Sequence, residues 1–146
     1  MSSAVDEFEF FLEKEWSDGL PVVTPTQARV ERVLEGTRLD PNEVIGVIPP
    51  VMGEATVRTV AIHAVMAGCK PEYLPVVLGG MRLMLSPELN LNAVQGTMGS
   101  AAPLMIVNGP YAAKIGLHGG NGCFGPGFRA NATIGRAIRL MLLNLG

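Results

Sequence analysis

Apolar residues recur along this chain mostly at helical spacing. Val5, Phe8, Phe11, Leu12 and Trp16 share one face of a helix over residues 4–16, with Ser2 and Ser3 ahead of it as caps, so residues 1–16 read as an N-terminal docking helix. Ser17-Asp18-Gly19 breaks it, and the prolines of residues 20–26 leave an extended edge or loop rather than a central strand. Thr26 then caps a helix over 27–35 with Val30, Val33 and Leu34 inward and Gly36 at its end. A helix over 54–67 turns Val57, Val60, Ala61, Ala64 and Val65 inward and ends at Gly68. Pro71 starts a largely buried helix through Leu74, Val77, Leu78 and Met81. Residues 112–115 make a helical turn or two. A final helix over 133–145 has Ile134, Ala137, Ile138, Met141 and Leu142 on one face and Arg136 and Arg139 on the other.

Short apolar runs predict the strands. They are 44–48, ending at Pro49-Pro50, then 92–97, then 104–107, the last followed by the turn signal Asn108-Gly109-Pro110. Strands alternating with helices predict an α/β fold: one layered domain over 1–146 with a short mixed sheet flanked by helices.

Composition narrows the function classes. Charged residues are 16% of the chain and apolar ones 48%, so little charge is available to cover the surface and an oligomer is expected, with copies of itself or with a second subunit. Eleven Lys and Arg against thirteen Asp and Glu, with no basic block, argue against nucleic acid. No apolar stretch reaches the roughly 18 residues of a membrane span, and the acidic start lacks the features of a signal peptide. A cytoplasmic protein is expected. His63 and His118 are far apart and no Cys-x-x-Cys pair occurs, so no structural metal site is expected and no cofactor is indicated.

The candidate chemistry gathers in residues 117–131. Gly119, Gly120, Gly122, Gly125 and Gly127 lack the Cβ that forbids positive φ, so the loop could turn a run of N–H groups toward an anion. Asn131 is placed to cap the helix that follows, whose positive end would add to that field, and Arg129 could fork a carboxylate or phosphate. Glu54, Asn108, Asn121 and Arg129 are expected to form a polar substrate clamp, with Gly122 and Asn131 also expected to bind substrate. Gly120 to Gly125 also fits G-x-G-x-x-G, but it follows no clear strand and no acidic residue stands about twenty positions on, so a dinucleotide site fails its context.

Two cysteines could act as nucleophiles. Cys69 sits between Gly68 and Lys70 at the start of a helix, where the cation and the helix dipole could lower its pKa, or it could be a small buried apolar residue. Cys123 lies in the glycine loop, where exposure is expected. Glu54 at a helix start is either a partner for the helix dipole or a general base facing the loop, and His118 beside the loop is the acid/base candidate; His63 reads as a packed or surface residue.

Several segments together carry a resemblance: Asp18-Gly19-Leu20-Pro21-Val22-Val23, then Val65-Met66-Ala67-Gly68-Cys69-Lys70-Pro71-Glu72-Tyr73, then Val107-Asn108-Gly109-Pro110, then the stretch from Gly122 to Arg136. From Asp18 onward the chain resembles a poorly characterised bacterial family associated with the UGSC-motif thiol/selenol proteins. That resemblance implies a redox or thiol-linked enzyme in which Cys69 or Cys123 carries the chemistry. The resembling proteins continue beyond the position of Gly146, which implies that part of the function sits on another chain. The expected function is a small subunit of a cysteine-dependent cytoplasmic enzyme, of oxidoreductase or lyase type, acting on a small polar or anionic substrate. The alternative is a non-catalytic binding or scaffolding subunit that completes a partner's active site.

Overall fold

A computed structural model describes residues 6–99 and 101–146. Seven helices and one hairpin form among them: α1 (Glu7–Glu13), α2 (Gln27–Leu34), β1 (Val44–Ile48), β2 (Gly53–Thr56), α3 (Val57–Ala67), α4 (Leu74–Met84), α5 (Leu91–Gly96), α6 (Pro110–Lys114) and α7 (Arg129–Leu145). Short 3₁₀ turns at Pro71–Tyr73 and Pro87–Leu89 precede α4 and α5. The fold is the expected mixed α/β arrangement, a short sheet flanked by helices. The sheet has only two strands, antiparallel, with Ile48 opposite Gly53, Val47 opposite Glu54 and Gly46 opposite Ala55.

The core is built on α3. Its sequence is apolar almost all round, so it needs cover on every side, which α2, α4 and α7 supply. A capping box starts it, with Thr59 N–H donating to Thr56 Oγ1 at 3.1 Å and Thr56 N–H donating to Thr59 Oγ1 at 2.7 Å. Gly68, at φ +87°, ends it in the left-handed conformation that a Cβ would disfavour. Leu74, Val77 and Met81 from α4 and Ile134, Leu140 and Met141 from α7 are fully buried against it. Helices α3 and α7 run in opposite directions: Arg129, at the start of α7, reaches Gly68, while a side chain at Gly53 would strike Leu145 at the far end.

Three sequence expectations about elements are corrected. The predicted strand at 92–97 is helical: Leu91 and Val94, three apart, both turn to the core, and Gln95 reaches back to the carbonyls of Pro49 at 3.1 Å and Leu142 at 3.2 Å. The predicted strand at 104–107 pairs with nothing among the described residues, although Met105 packs on the core and Leu104 and Ile106 stand 67% and 76% exposed. The start of the predicted helix at 54–67 is instead strand β2, whose pairing with β1 holds residues 53–56 extended until the Thr56 cap. At the N-terminus, Asp6 caps α1, its carboxylate accepting from Phe8 N–H at 3.0 Å, and α1 ends at Glu13, short of the expected Trp16; Ser2, Ser3 and Val5 lie outside the described residues.

Candidate functional site

The glycine loop packs where the C-terminus of α3 meets the N-terminus of α7, and three side chains organise that junction. Asn131 is the first. Helix α7 begins at Arg129 with Phe128 at its cap position, so Asn131 lies inside the first turn and does not cap it. Its amide instead pairs with both backbone groups of His118, Oδ1 accepting from His118 N–H at 2.9 Å and Nδ2 donating to His118 O at 2.9 Å. The same Nδ2 donates to Cys123 O at 3.0 Å. Asn131 thus acts as a one-residue strand partner for the loop, a use of the amide that mimics backbone pairing.

His118 is the second. Its ring stacks on Phe128 at 3.9 Å and 12° between planes, and Nε2 donates to Asn121 O at 3.1 Å. One ring nitrogen is therefore committed to the loop, which weakens the acid/base expectation. Asn121 takes part through its backbone carbonyl, while its side chain stays exposed.

Arg129 is the third, and it overturns the expectation of an anion fork. Nε and Nη2 both donate to the carbonyl of Gly68, at 3.0 and 2.9 Å. That carbonyl belongs to the C-cap of α3, where the helix leaves acceptors unpaired and a cation opposes the negative end of the dipole. The loop amides are partly committed as well. Cys123 N–H donates to Gly120 O and Gly125 N–H to Gly122 O, at 3.1 and 2.8 Å, closing turns around Gly122 at φ +81°. These donors are used within the loop, so the run of free N–H groups expected for an anion is broken.

Cys69 lies under this junction, buried, with its Sγ donating to Thr133 O at 3.4 Å. Burial pushes the thiol up to about 11, against the smaller opposing effects of the Thr133 contact and the Arg129 charge. Burial thus works against the activation expected beside Lys70 and outweighs the Arg129 charge, while Lys70 lies 3.9 Å from Glu72. Cys123 is half-buried, and both thiols are free.

Glu54 is not part of this cluster. It sits on β2 at the C-terminal end of α7, and α7 is 17 residues long, which puts about 25 Å of helix between Glu54 and the loop. Asn108 is exposed at the entry to α6 and makes no side-chain hydrogen bond among the described residues. Two apolar clefts, of about 310 Å³ beside Phe11, Trp16 and His63 and about 280 Å³ beside Val47, Leu85 and Leu91, lie away from the loop and are lined by none of the expected site residues. Among the described residues, no three His, Cys, Asp or Glu side chains group as metal ligands, and no helix is long and apolar enough to cross a membrane.

Braced by Asn131 and His118, the loop presents Phe124 outward at 87% exposure. Spacing in the sequence gives this residue no helical or strand face; its signal is a lone aromatic within a glycine-rich stretch, Gly122-Cys123-Phe124-Gly125. A second cluster is built on Arg136. Arg136, expected on a solvent face, donates from Nε and Nη2 to the two carboxylate oxygens of Asp18 at 2.9 and 2.8 Å, and from Nη2 to the carbonyls of Leu20 and Pro21. It pins the proline-marked segment to α7. Compared with protein-family models, curated proteins and solved structures, the chain finds no match.

Proposed function

We propose that this chain is a non-catalytic binding subunit that presents the loop 117–128, with Phe124 at its tip, to a partner protein. The observation that supports this reading is the contrast between Phe124 and its neighbours: Asn131 and His118 brace the loop through its backbone, while one large aromatic is left almost fully in water. A rigid, exposed aromatic on a braced loop is what a protein interface uses as an anchor, because little ordering entropy remains to be lost on binding. The buried, protonated Cys69 is consistent with a chain that does not itself supply a nucleophile. The reading puts the protein in the cytoplasm, supported by two cysteines that are both free.

A thiol-dependent enzyme subunit is the second reading, and Cys123 favours it. It is the free thiol that is only half-buried, and it adjoins Phe124. Docking of the loop would then carry Cys123 into a partner's site. A photo-crosslinking amino acid at position 124, in the source cells, separates the readings. One defined polypeptide should be captured, Phe124→Ala should lose it from the native assembly, and Cys123→Ser should leave both assembly and activity intact. Unchanged copurification of Phe124→Ala would overturn the binding reading, and loss of activity in an intact Cys123→Ser assembly would favour the enzyme.

A further inference from the structure

We propose that Asn108 is a site of spontaneous covalent modification, at which the side-chain amide is lost and aspartate or isoaspartate forms. The site lies outside the glycine loop and does not depend on the role given to Phe124.

An asparagine followed by glycine can close a ring on its own backbone. The glycine nitrogen gives its proton to solvent base and attacks Cγ of the asparagine. The new N–Cγ bond replaces the Cγ–Nδ2 bond, and Nδ2 leaves as ammonia. Water then opens the resulting succinimide at either ring carbonyl, giving aspartate or, with the main chain rerouted through the side chain, isoaspartate. Water is the only co-reactant, and nothing is oxidised or reduced. A Cβ on the second residue crowds the attacking nitrogen, and glycine leaves it open. The chain has two such pairs, Asn108-Gly109 and Asn121-Gly122.

The fold treats the two pairs differently. Asn121 and Gly122 are the central residues of a turn that Cys123 N–H closes on Gly120 O at 3.1 Å. Gly122 has φ +81° and Asn121 does not have positive φ, which makes the turn type II. The first central residue of such a turn holds ψ at about +120°. That rotation carries the next nitrogen away from the side chain, whereas ring closure needs it to eclipse Cβ. His118 Nε2, 3.1 Å from Asn121 O, holds the same peptide in place. Asn121 can react only after the turn opens.

Asn108 has no such restraint. It is exposed, and among the described residues neither its side chain nor Gly109 N–H makes a hydrogen bond. Gly109 has φ +90°, and a Cβ built on it would meet nothing within 4 Å, so the ring has room and water has access. The flanking anchors sit to either side: Met105, whose Sδ would lie 3.0 Å from a Cβ at Gly80, and Tyr111, whose O–H donates to Glu72 O at 2.7 Å. Modification changes this surface. Residues 97–109 carry no charge, and either product puts a carboxylate among them, close in sequence to Ile106 at 76% exposure. Isoaspartate also lengthens the main chain between the two anchors by one carbon. Because the ammonia is lost to solvent, the acidic fraction records the age of the chain.

The test incubates the purified full chain at mildly alkaline pH, digests it with trypsin and sequences the asparagine peptides by mass spectrometry. Asn121 falls on peptide 115–129 and Asn108 on peptide 83–114, so the two conversions are read separately. Asn108 should convert about tenfold faster than Asn121 or more, because two hydrogen bonds must open first at Asn121. In urea the two rates should come together. Asn108→Gln, which can close only a larger and slower ring, should remove the main acidic form on isoelectric focusing with an unchanged far-ultraviolet circular dichroism spectrum. Conversion at Asn121 as fast as at Asn108 in the native chain, a ratio of rates that urea leaves unchanged, or an acidic form that persists in Asn108→Gln would each overturn the proposal.

Discussion

The guanidinium of Arg129 and the carbonyl of Gly68 are joined by two hydrogen bonds, 3.0 Å from Nε and 2.9 Å from Nη2, which tie the first residue of α7 to the last turn of α3. The contact is planar, two-pronged and directed at a helix end. Lysine's point charge can replace the dipole interaction but not the fork. Arg129→Lys should therefore lower stability by about 1 kcal/mol, below the usual range for a charged donor because the site is exposed. In a chain of this size that is about 3 °C of Tm, read by calorimetry. A variant with unchanged Tm would show that the fork contributes nothing.

Cys69 should be the slow thiol. With the folded group raised to about 11, the thiolate fraction at pH 8 is roughly one part in a thousand, so a disulfide reagent should modify Cys123 first and Cys69 only on unfolding. The sign of the accompanying stability change follows. Below pH 9 both states hold the proton; between 9.0 and about 11 the unfolded chain releases it and the folded one does not, so stability should fall as pH rises through that window. Cys69→Ala should reduce that slope. Equal modification rates for the two native cysteines would contradict the burial argument.

The helices were legible wherever one face is apolar and both ends are marked. Residues 57–67 show the pattern in Val57, Val60, Ala61 and Ala64, and Gly68 ends the helix as expected. Residues 91–96 were misread because the run is short, and in so short a run Leu91 and Val94 fit a helix while the composition also fits a strand. The glycine loop was legible as a loop leading into the last helix, but not the direction in which its side chains act. Arg129 and Asn131 lie in the first turn of α7; the antiparallel approach of α3 brings Gly68 within reach of Arg129, and the fold of the loop brings His118 back to Asn131. Such pairings join positions 61 and 13 residues apart, and no local spacing encodes them.

Asp18 and Arg136, 118 positions apart, hold the segment after α1 against α7. The paired guanidinium keeps the Asp18 carboxyl below its ordinary value of 3.8, and the hydrogen bond contributes more than the charge alone. A carboxylate lowered in the folded state stabilises it above the unfolded pKa, and that stability is lost as pH falls below 3.8. Asp18→Asn should cost about 1 kcal/mol at pH 7 and little at pH 3, because the half-buried pair is partly screened. Urea unfolding at the two pH values measures this; an equal cost at both would remove the ion pair from the account.

The last prediction concerns a relay from the core to α1. His63 is buried on α3, its Nδ1–H donating to Thr59 O at 2.7 Å and its Nε2 lying 3.2 Å from Asn144 Nδ2, which also donates to Trp16 O at 3.2 Å. With Nδ1 protonated, Nε2 is the acceptor, and Asn144 bridges it to the end of the segment that carries α1. A second proton on the ring would set two donors against each other and charge a group without water. Burial accordingly holds the His63 pKa below 6.5, only partly opposed by the Thr59 bond. The unfolded chain binds that proton more readily, so stability should be full above pH 6.5 and fall by about 1 kcal/mol toward pH 5.5. Trp16 is the single tryptophan and packs on Phe11 with ring centroids 6.0 Å apart, so its fluorescence reports α1 directly. Its emission should shift to the red at mild acid before the far-ultraviolet signal of the core is lost. His63→Gln keeps polar contact without titrating and should remove most of the pH dependence. A Trp16 transition that keeps its midpoint in His63→Gln would assign the acid response to another group.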